Sequence, residues 1–232
     1  MPATPDSFTA PAPLTAPASF TVRALLLDMD GTLVNSDAVV ERCWRRWADA
    51  QGIDPAEVLA VAHGRQGHAT MAALLPDRPV ELNLADNARM LAEEKADTDG
   101  VVAIPGAAAF LAALADLPHA LVTSADEPLA RVRMAAAGLP VPAVLVTAES
   151  VGASKPDPEG FLKGAAALGF APADCLAFED SGAGIAAARA AGVPVVGIGP
   201  RATAHGPAAH AATLETVTVT PGPDGTITVT VA

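Results

Sequence analysis

The amino-acid sequence predicts an α/β protein with a parallel-sheet core and an inserted all-helical domain. The first observation is a short apolar run, Leu25–Leu27, followed by two aspartates one residue apart; this pattern is typical of a buried strand with a polar tip. The second is a long stretch, 37–99, that has helical periodicity and no strand pattern. The third is an alternation of strand and helix patterns from residue 104 onward, which predicts a parallel sheet with helices on both faces.

The beginning of the chain has a different composition from the rest. Residues 1–20 are rich in Pro, Ala, Thr and Ser, which predicts a disordered leader. The prolines and the lack of a basic segment argue against a secretory signal peptide. The first strand is predicted over about 22–28. We therefore assign the sheet core to 21–36 and 104–232, and the helical domain to 37–103.

Four helices are predicted in the helical domain from apolar residues at helical spacing and from cap residues. They cover 37–51, 55–63, 68–75 and 81–97. Trp44 and Trp47 are interpreted as core residues of this domain rather than a platform for sugar stacking. Glu94 and Asp97 are interpreted as solvated helix charges, with hydroxyl binding as the alternative.

The second half of the chain alternates between the two kinds of element. Strands are predicted over 119–123, 141–147, 175–178 and 194–197, and helices over 107–117, 128–137, 159–169 and 183–191. The tail alternates Thr with Val or Ile on both sides of a Pro/Gly/Asp cluster, 221–225, which predicts a β-hairpin. We expect this hairpin to extend a sheet edge, without a role in chemistry.

Composition excludes several classes of partner. The 232-residue chain carries a formal net charge of −12 and has an isoelectric point near 4.6. Nucleic acids and anionic membranes require basic patches, so neither is an expected partner. Cys43 and Cys175 lie far apart in the sequence, without metal-ligand spacing. They are interpreted as buried thiols in a reducing compartment, which predicts a cytoplasmic protein.

Polar side chains follow four of the predicted strands. They are Asp28 and Asp30, Thr123 and Ser124, Lys155, and Glu179 and Asp180. Each group alone has a structural explanation, such as a helix cap or a solvated loop. In a parallel sheet, however, the carboxyl ends of the strands meet at one edge, where ligands bind. Carboxylates can hold Mg²⁺, and a hydroxyl, helix N-termini and a lysine can hold a phosphate group.

These four groups resemble, in order and spacing, the signature motifs of the haloacid dehalogenase-like hydrolases. The matching segments are Asp28-Met29-Asp30-Gly31-Thr32, Thr123-Ser124, Lys155-Pro156 and Glu179-Asp180-Ser181. The resemblance covers about 22–200 and implies a Rossmann-like core with a helical cap of the superfamily's first cap class. His63-Gly64-Arg65 and the segment 178–185 are most similar to the sugar-phosphate and polyol-phosphate phosphatases of the group.

The resemblance also implies roles for the core residues. Asp28 is expected to attack phosphorus and to become an aspartyl phosphate. Asp30 is expected to protonate the leaving alcohol and then to deprotonate the hydrolytic water. Thr123 and the backbone N–H of Ser124 would bind phosphate oxygens, and Lys155 would orient Asp28. A dehalogenase has no alkoxide to protonate, so Asp30 favours phosphate ester chemistry.

A Mg²⁺ site is implied in the same place. The resemblance assigns it to the carboxylates of Asp28 and Asp180 and to the backbone carbonyl of Asp30. Glu179 is expected to contribute directly or through hydrogen bonds. Because the transition state of phosphoryl transfer carries spread negative charge, catalysis at such a site is mostly positioning and electrostatic stabilisation.

The loop between the second and third predicted helices is the candidate for reading the substrate. It contains His63, Gly64, Arg65 and Gln66. In this cap class the leaving group is recognised by residues that hang from the cap, and loops often carry function. The alternative is an ordinary polar connection between two helices.

Three functions remain in competition at this point. The first is a Mg²⁺-dependent phosphatase that acts on a small sugar phosphate or polyol phosphate, as a monomer or weak homodimer. The second is a phosphosugar mutase of the β-phosphoglucomutase type, which would return the phosphoryl group to the sugar. The third is a non-catalytic binding protein on the same fold, which the complete set of reacting groups disfavours.

Overall fold

The computed structural model describes residues 17–232 of the chain. Its strands are β1 (Ala18–Val22), β2 (Ala24–Leu27), β3 (Val34–Asn35), β4 (Val102–Ala103), β5 (His119–Val122), β6 (Val144–Val146), β7 (Cys175–Glu179), β8 (Val195–Ile198), β9 (Ala209–Ala211), β10 (Val217–Pro221) and β11 (Ile227–Val231). Its α-helices are α1 (Asp37–Gln51), α2 (Pro55–Ala62), α3 (Gly67–Leu74), α4 (Val80–Ala96), α5 (Ala107–Ala113), α6 (Glu127–Ala136), α7 (Glu159–Leu168), α8 (Gly182–Ala190) and α9 (Gly199–Ala202).

A six-stranded parallel sheet forms the centre of the molecule, with the strand order β6-β5-β2-β7-β8-β9. Strand β2 lies between β5 and β7, and all four of its residues are fully buried. Because side chains alternate along a strand, Leu25 and Leu27 join one hydrophobic cluster, whereas Ala24 and Leu26 join the other. The predicted α/β class with a Rossmann-like parallel sheet is confirmed.

Helices α1 to α4 follow one another between the end of β3 and the start of β4. The two short strands pair antiparallel, so the chain enters and leaves the helical segment side by side; the sequence does not predict this ribbon. Trp44 and Trp47 pack edge to face, with ring centroids 5.5 Å apart, and the Trp47 indole donates a 2.9 Å hydrogen bond to Asp86. Both rings are buried, which agrees with their interpretation as core residues.

Two predictions about the chain ends are wrong. The first concerns the leader, which is predicted to extend to residue 20, whereas Ala18–Val22 forms β1 and pairs antiparallel with β11. The first part of that leader, 1–16, lies outside the described residues. Buried or half-buried Ala18, Phe20 and Val22 alternate with exposed neighbours, a period-two pattern typical of a sheet with one face on the core. Arg23 bends the chain between β1 and β2, so the predicted single strand is divided.

The second concerns the hairpin β10–β11, which is present, as predicted, but does not extend the central sheet. It forms a separate three-stranded sheet with β1, in the order β1-β11-β10, and β9 occupies the edge of the central sheet. Both cysteines are buried and free, as predicted, and burial raises the pKa of each thiol to about 11. In the described part of the chain, no helix combines the length and the apolar character that crossing a membrane requires.

Candidate active site

The predicted polar groups meet at the carboxyl edge of the central sheet. Asp28 directly follows β2, Thr123 follows β5, Lys155 lies in the loop after β6, and Asp180 follows β7. A cavity of about 90 Å³ lies at this edge, between the sheet and the helices α1 and α4. As the sequence predicts, these residues lie together because the strands that precede them end at the same edge of the sheet.

Asp28 and Lys155 form the buried centre of the site. The Lys155 ammonium donates hydrogen bonds to Asp28 Oδ1 at 2.6 Å, to Glu179 Oε1 at 2.7 Å and to the Val122 carbonyl at 3.1 Å. Burial alone would lower the pKa of Lys155, but the charges of Asp28 and Glu179 raise it above its ordinary value. The two carboxylates therefore favour the charged form of Lys155, and its 2.6 Å hydrogen bond fixes the orientation of the Asp28 carboxylate.

Three carboxylates in this centre could hold a metal ion together. One carboxylate oxygen each from Asp28, Glu179 and Asp180 lies within 4.8 Å of the others, and all three residues are buried. Burial and the charge of Glu179 raise the pKa of Asp28 well above its usual range, and the same two causes raise the pKa of Asp180 to about 7. Such shifts mean that the positive charge near the cluster does not balance the negative charge of its three carboxylates. A cluster of carboxylate oxygens with an excess of negative charge is suited to bind a divalent cation such as Mg²⁺.

Asp30 lines the same cavity but is not part of the carboxylate cluster. Its Oδ1 accepts a 2.6 Å hydrogen bond from the Ser36 hydroxyl, and its Oδ2 accepts a 2.7 Å bond from Arg133. Arg133 in turn donates a 2.8 Å bond to Glu94 on α4. The carboxylate of Asp30 is thus held apart from Asp28, as separate chemical roles would require. The expectation that Asp30 offers a metal ion its backbone carbonyl stays a prediction.

A second arginine links the carboxylate cluster to the start of the helical segment. The Nε of Arg201 donates to Asp180 Oδ2 at 2.9 Å, and its NH1 bonds both oxygens of Asp37 at 3.0 Å. Gly31 packs closely against this pair, because a Cβ at its position would meet Asp180 and Arg201, and its φ is +81°. Only glycine combines that space with that backbone conformation, which explains the Gly after Asp30.

Thr123 and Ser124 line the cavity. The Thr123 hydroxyl accepts a 3.1 Å hydrogen bond from the backbone N–H of Ala125, which fixes the turn after β5. The Ser124 hydroxyl donates a 2.9 Å bond to the carbonyl of Gly64 in the predicted substrate loop. Thr123 and Ser124 therefore line the cavity, and Ser124 also contacts the helical segment.

The loop His63–Gln66 lies directly over the strand ends. His63, Gly64 and Arg65 line the cavity. Gly64 has a φ of +79°, and a Cβ there would meet Ser181, so this position also requires glycine. Burial and the charge of Arg201 lower the pKa of His63.

Gln66, the last residue of that loop, does not line this cavity. Its backbone N–H donates to the Ser154 hydroxyl at 2.8 Å, and its side chain donates to the Ala148 carbonyl at 3.3 Å. Within the described chain, the contacts of Gln66 thus join the helical segment to the core. Gln66 also lines a smaller neighbouring pocket with Thr123, Ser124 and Lys155, and its role in substrate binding stays a prediction.

Sequence analysis does not single out Arg133 and Arg201, two charged residues of the cavity wall, and for a third, Glu94, it prefers a solvated charge over hydroxyl binding. The sequence favours the interpretation of Glu94 as a solvated charge, but in the structure Glu94 is buried and forms an ion pair with Arg133. Arg133 does not stand out in the sequence, although it shares the buried face of α6 with Leu129 and Met134, at helical spacing. An arginine on an apolar helix face is a signal that could have found it. Arg201, one turn beyond the end of β8, could have been found by extending the strand-end rule to that strand.

The chain belongs to the haloacid dehalogenase-like hydrolases: the sequence profile of that family matches residues 22–192. This finding confirms the family predicted from the four motifs. The structure of β-phosphoglucomutase from Clostridium difficile superposes with a TM-score of 0.73 over 83% of this chain and 92% of that chain. Its sequence is 19% identical, so it supports the fold alone.

Two relatives have names that state an enzymatic activity, which the family name alone does not. Hexitol phosphatase A of Escherichia coli (strain K12) is 40% identical over 212 residues, which cover 88% of this chain and 97% of that protein. Glycerol-1-phosphate phosphohydrolase 1 of Saccharomyces cerevisiae is 32% identical over 195 residues, which cover 79% of this chain and 77% of that protein. Both names describe phosphoric monoester hydrolases, in agreement with the predicted class of enzyme.

Proposed function

We propose that the protein is a phosphatase that hydrolyses small sugar phosphates or polyol phosphates through a covalent aspartyl phosphate. The observation that carries this proposal is the pair of aspartates in one cavity. Asp28 is fixed by Lys155 at 2.6 Å, and Asp30 is held separately by Ser36 and Arg133. A nucleophile and an acid–base group with different surroundings are what a two-step phosphoryl transfer requires.

The reaction assigned to these residues has two steps. In the first, an Asp28 carboxylate oxygen forms a bond to phosphorus, the ester P–O bond breaks, and Asp30 gives its proton to the leaving alkoxide. In the second, water gives a proton to Asp30 and attacks the aspartyl phosphate, which releases inorganic phosphate and restores Asp28. Thr123 and the backbone N–H of Ser124 bind the other phosphate oxygens, and Lys155 offsets their charge.

Mg²⁺ is the cofactor that we propose for this site. Asp28 and Asp180 would hold it together with the Asp30 backbone carbonyl, and Glu179 would support the site through Lys155 and Ser181. When bound, the ion offsets the negative charge of the phosphoryl group and of the carboxylates that surround it. The raised pKa values of Asp28 and Asp180 are the observation in favour of such an ion.

The size and lining of the cavity support a small leaving group. Its volume of about 90 Å³ excludes a large macromolecular substrate when the helical segment lies in this position. His63, Gly64 and Arg65 are the loop residues that we retain for substrate binding. The printed names of the relatives, a hexitol phosphatase and a glycerol-1-phosphate phosphohydrolase, support the choice of a polyol or sugar.

The cellular setting also remains a proposal. Free, buried Cys43 and Cys175 favour a reducing compartment, so we place the protein in the cytoplasm. A monomer or weak homodimer stays a prediction. The division into a core (21–36 and 104–232) and a cap (37–103) likewise stays a proposal.

A panel of phosphate esters assayed with Mg²⁺ tests the proposed function. The panel includes sorbitol 6-phosphate, mannitol 1-phosphate, glycerol 1-phosphate, glucose 6-phosphate and β-glucose 1-phosphate. We expect inorganic phosphate to appear in a one-to-one ratio to the substrate lost. Formation of an isomeric sugar phosphate without phosphate release would instead support the mutase, and no turnover of any ester would reject both enzymes.

Metal binding should stabilise the protein more at alkaline than at acidic pH. The folded-state pKa of Asp180 is about 7, above its value of about 3.8 in an unfolded chain. Folded protein without metal therefore keeps a proton that unfolded protein loses, and its stability falls as the pH rises from about 4 to 7. Mg²⁺ removes this penalty. At roughly 100 times its dissociation constant, it should raise the melting temperature by about 5–10 °C at pH 8.

Melting curves with 5 mM MgCl₂ and with EDTA, recorded at pH 5 and pH 8, measure this effect. At pH 5 the difference between the two should be small, because protons compete with the ion. The Asp180→Asn variant should show little dependence on Mg²⁺ and a smaller dependence on pH, because Asp28 keeps a raised pKa of its own. Identical curves with MgCl₂ and EDTA at pH 8 would contradict the proposed metal site.

A further inference from the structure

One wall of the cavity contains a buried ion pair, of which the proposed reaction uses only Arg133, to hold Asp30. Glu94 on α4 and Arg133 on α6 are joined by a 2.8 Å contact between Glu94 Oε2 and Arg133 NH2. Both residues line the cavity, and they are 7% and 4% exposed. The pair thus joins the helical segment to the core at a place that a bound substrate would reach.

The pair has hydrogen-bonding capacity to spare. The Nη1 of Arg133 donates to Asp30 and its Nη2 donates to Glu94, but its buried Nε has no hydrogen-bond partner among residues 17–232. A guanidinium has five N–H donors, and a carboxylate has about four acceptor positions. Unused donors and acceptors in a buried place are costly, and a ligand that satisfies them gains the corresponding free energy.

The position of the pair follows from its contact with Asp30. The proposed reaction puts the leaving oxygen of the ester against the Asp30 carboxylate. Arg133 touches that same carboxylate at 2.7 Å and carries Glu94 on its other side. The carbon atoms next to the ester oxygen therefore come to lie beside the ion pair. Hydroxyl groups on those carbons can donate to Glu94 and accept from Arg133.

The rest of this wall explains why the pair would discriminate. Trp44, Met90 and Leu91 give the cavity an apolar lining next to the ion pair. An alkyl chain would fill that space but would leave the unused donors of Arg133 and the unused acceptors of Glu94 without a hydrogen-bond partner or water. A site built to bind hydroxyls rejects a ligand that lacks them, because its buried polar groups then stay unpaired.

We propose that Glu94 and Arg133 form a hydroxyl-recognition site that selects a polyhydroxylated leaving group next to the scissile ester. This inference rests on the proposed phosphatase function and adds to it the residues that set its substrate class. Glu94 is a specificity residue of the helical segment, whereas Arg133 also positions Asp30.

The test compares two esters that differ in their hydroxyl groups. Sorbitol 6-phosphate and n-hexyl phosphate both release a primary alkoxide, so a change that acts through Asp30 affects them equally. The measured quantity is the ratio of kcat/KM for the polyol ester to kcat/KM for the alkyl ester. In the unmodified protein we expect this ratio to be on the order of 10²–10³.

Two variants of Glu94 should lower that ratio by different amounts. Glu94→Gln keeps the volume and one acceptor, and should lower it roughly 10-fold, mostly through KM for the polyol ester. Glu94→Leu removes both acceptors and should lower it roughly 100-fold. Glu94→Gln carries the test by itself if the Leu variant does not fold.

Lys95→Met is the matched control. Lys95 is the next residue of α4 and forms a 2.8 Å ion pair with Asp126, so it also joins α4 to the start of α6. It is not among the residues that line the cavity. If the Glu94–Arg133 pair only holds α4 against α6, then Lys95→Met will lower the ratio as Glu94→Gln does. The proposal requires that Lys95→Met leave the ratio unchanged.

Binding to the Asp28→Asn protein separates this inference from the proposed function. Calorimetry with sorbitol 6-phosphate and n-hexyl phosphate gives a ratio of dissociation constants that does not depend on turnover. If the unmodified protein hydrolyses neither ester, the proposed function fails, and the binding ratio still tests the pair. A binding or kinetic ratio that stays within threefold in Glu94→Gln, or a decrease that Lys95→Met reproduces, overturns the inference.

Discussion

Replacing Asp28 with asparagine is expected to abolish phosphate release, with a decrease in kcat of at least about 10⁴-fold. An amide oxygen is a poor nucleophile, and the Asp28→Asn variant could not form the proposed aspartyl phosphate. The new side chain keeps its size and its acceptor for the 2.6 Å bond from Lys155, so the geometry of the site should remain. Phosphate release from sorbitol 6-phosphate, measured with a coupled assay, gives the result directly.

The folded state should tolerate this substitution well. Burial and Glu179 raise the pKa of Asp28 well above its usual range, which means that the ionised carboxylate is costly to bury. Asp28→Asn removes that cost at pH 8, so its melting temperature without Mg²⁺ should equal or exceed that of the unmodified protein. Asp116→Asn, which neutralises an exposed carboxylate, is the control. Retention of more than a tenth of the activity by Asp28→Asn would reject the proposed nucleophile.

The core of the site can be predicted from the sequence because it depends on strand ends. Asp28, Thr123 and Asp180 each directly follow a strand of one parallel sheet, and the topology of such a sheet brings those positions together. Period-two burial and apolar runs are local signals, so the strands themselves can be located. The positions of these residues relative to one another then follow without knowledge of any side-chain contact.

The cavity wall cannot be predicted in the same way. Glu94 is 39 residues from Arg133, and the two meet only because α4 packs against α6. Helical periodicity predicts that α4 exists, but it does not predict which face of α4 meets the core. Glu94 therefore looks like a solvated charge, and only the packing of the two helices shows that it is buried. Arg201, which is 164 residues from its partner Asp37, depends on tertiary packing in the same way.

The N-terminal strand shows a different limit. Pro, Ala, Thr and Ser dominate 1–20, and that composition conceals the short alternation in Ala18–Val22. The strand forms because β11, more than 200 residues later, provides an antiparallel partner. Composition is an average over a window, and such an average cannot locate a five-residue strand whose partner lies at the other end of the chain.

Replacing Asp30 with asparagine should separate the two steps of the proposed reaction. An alkoxide leaving group needs the proton that Asp30 supplies, so kcat/KM for sorbitol 6-phosphate should fall by about 10²–10⁴-fold. Nitrophenolate leaves without a proton, so kcat/KM for p-nitrophenyl phosphate should change by less than about 10-fold. This contrast follows because kcat/KM reports the steps up to the release of the alcohol or phenol.

The second step gives an independent measurement on the Asp30→Asn variant. Hydrolysis of the aspartyl phosphate needs a base, and the introduced amide cannot accept a proton from the attacking water. The covalent intermediate should therefore accumulate, and rapid mixing with p-nitrophenyl phosphate should show a burst of one nitrophenolate per protein molecule before slow turnover. The amide oxygen can accept only one of the two hydrogen bonds that Asp30 accepts from Ser36 and Arg133, so a melting curve of the variant serves as a control for its folding. Equal losses of kcat/KM for both esters, without a burst, would mean that Asp30 positions the substrate instead of transferring protons.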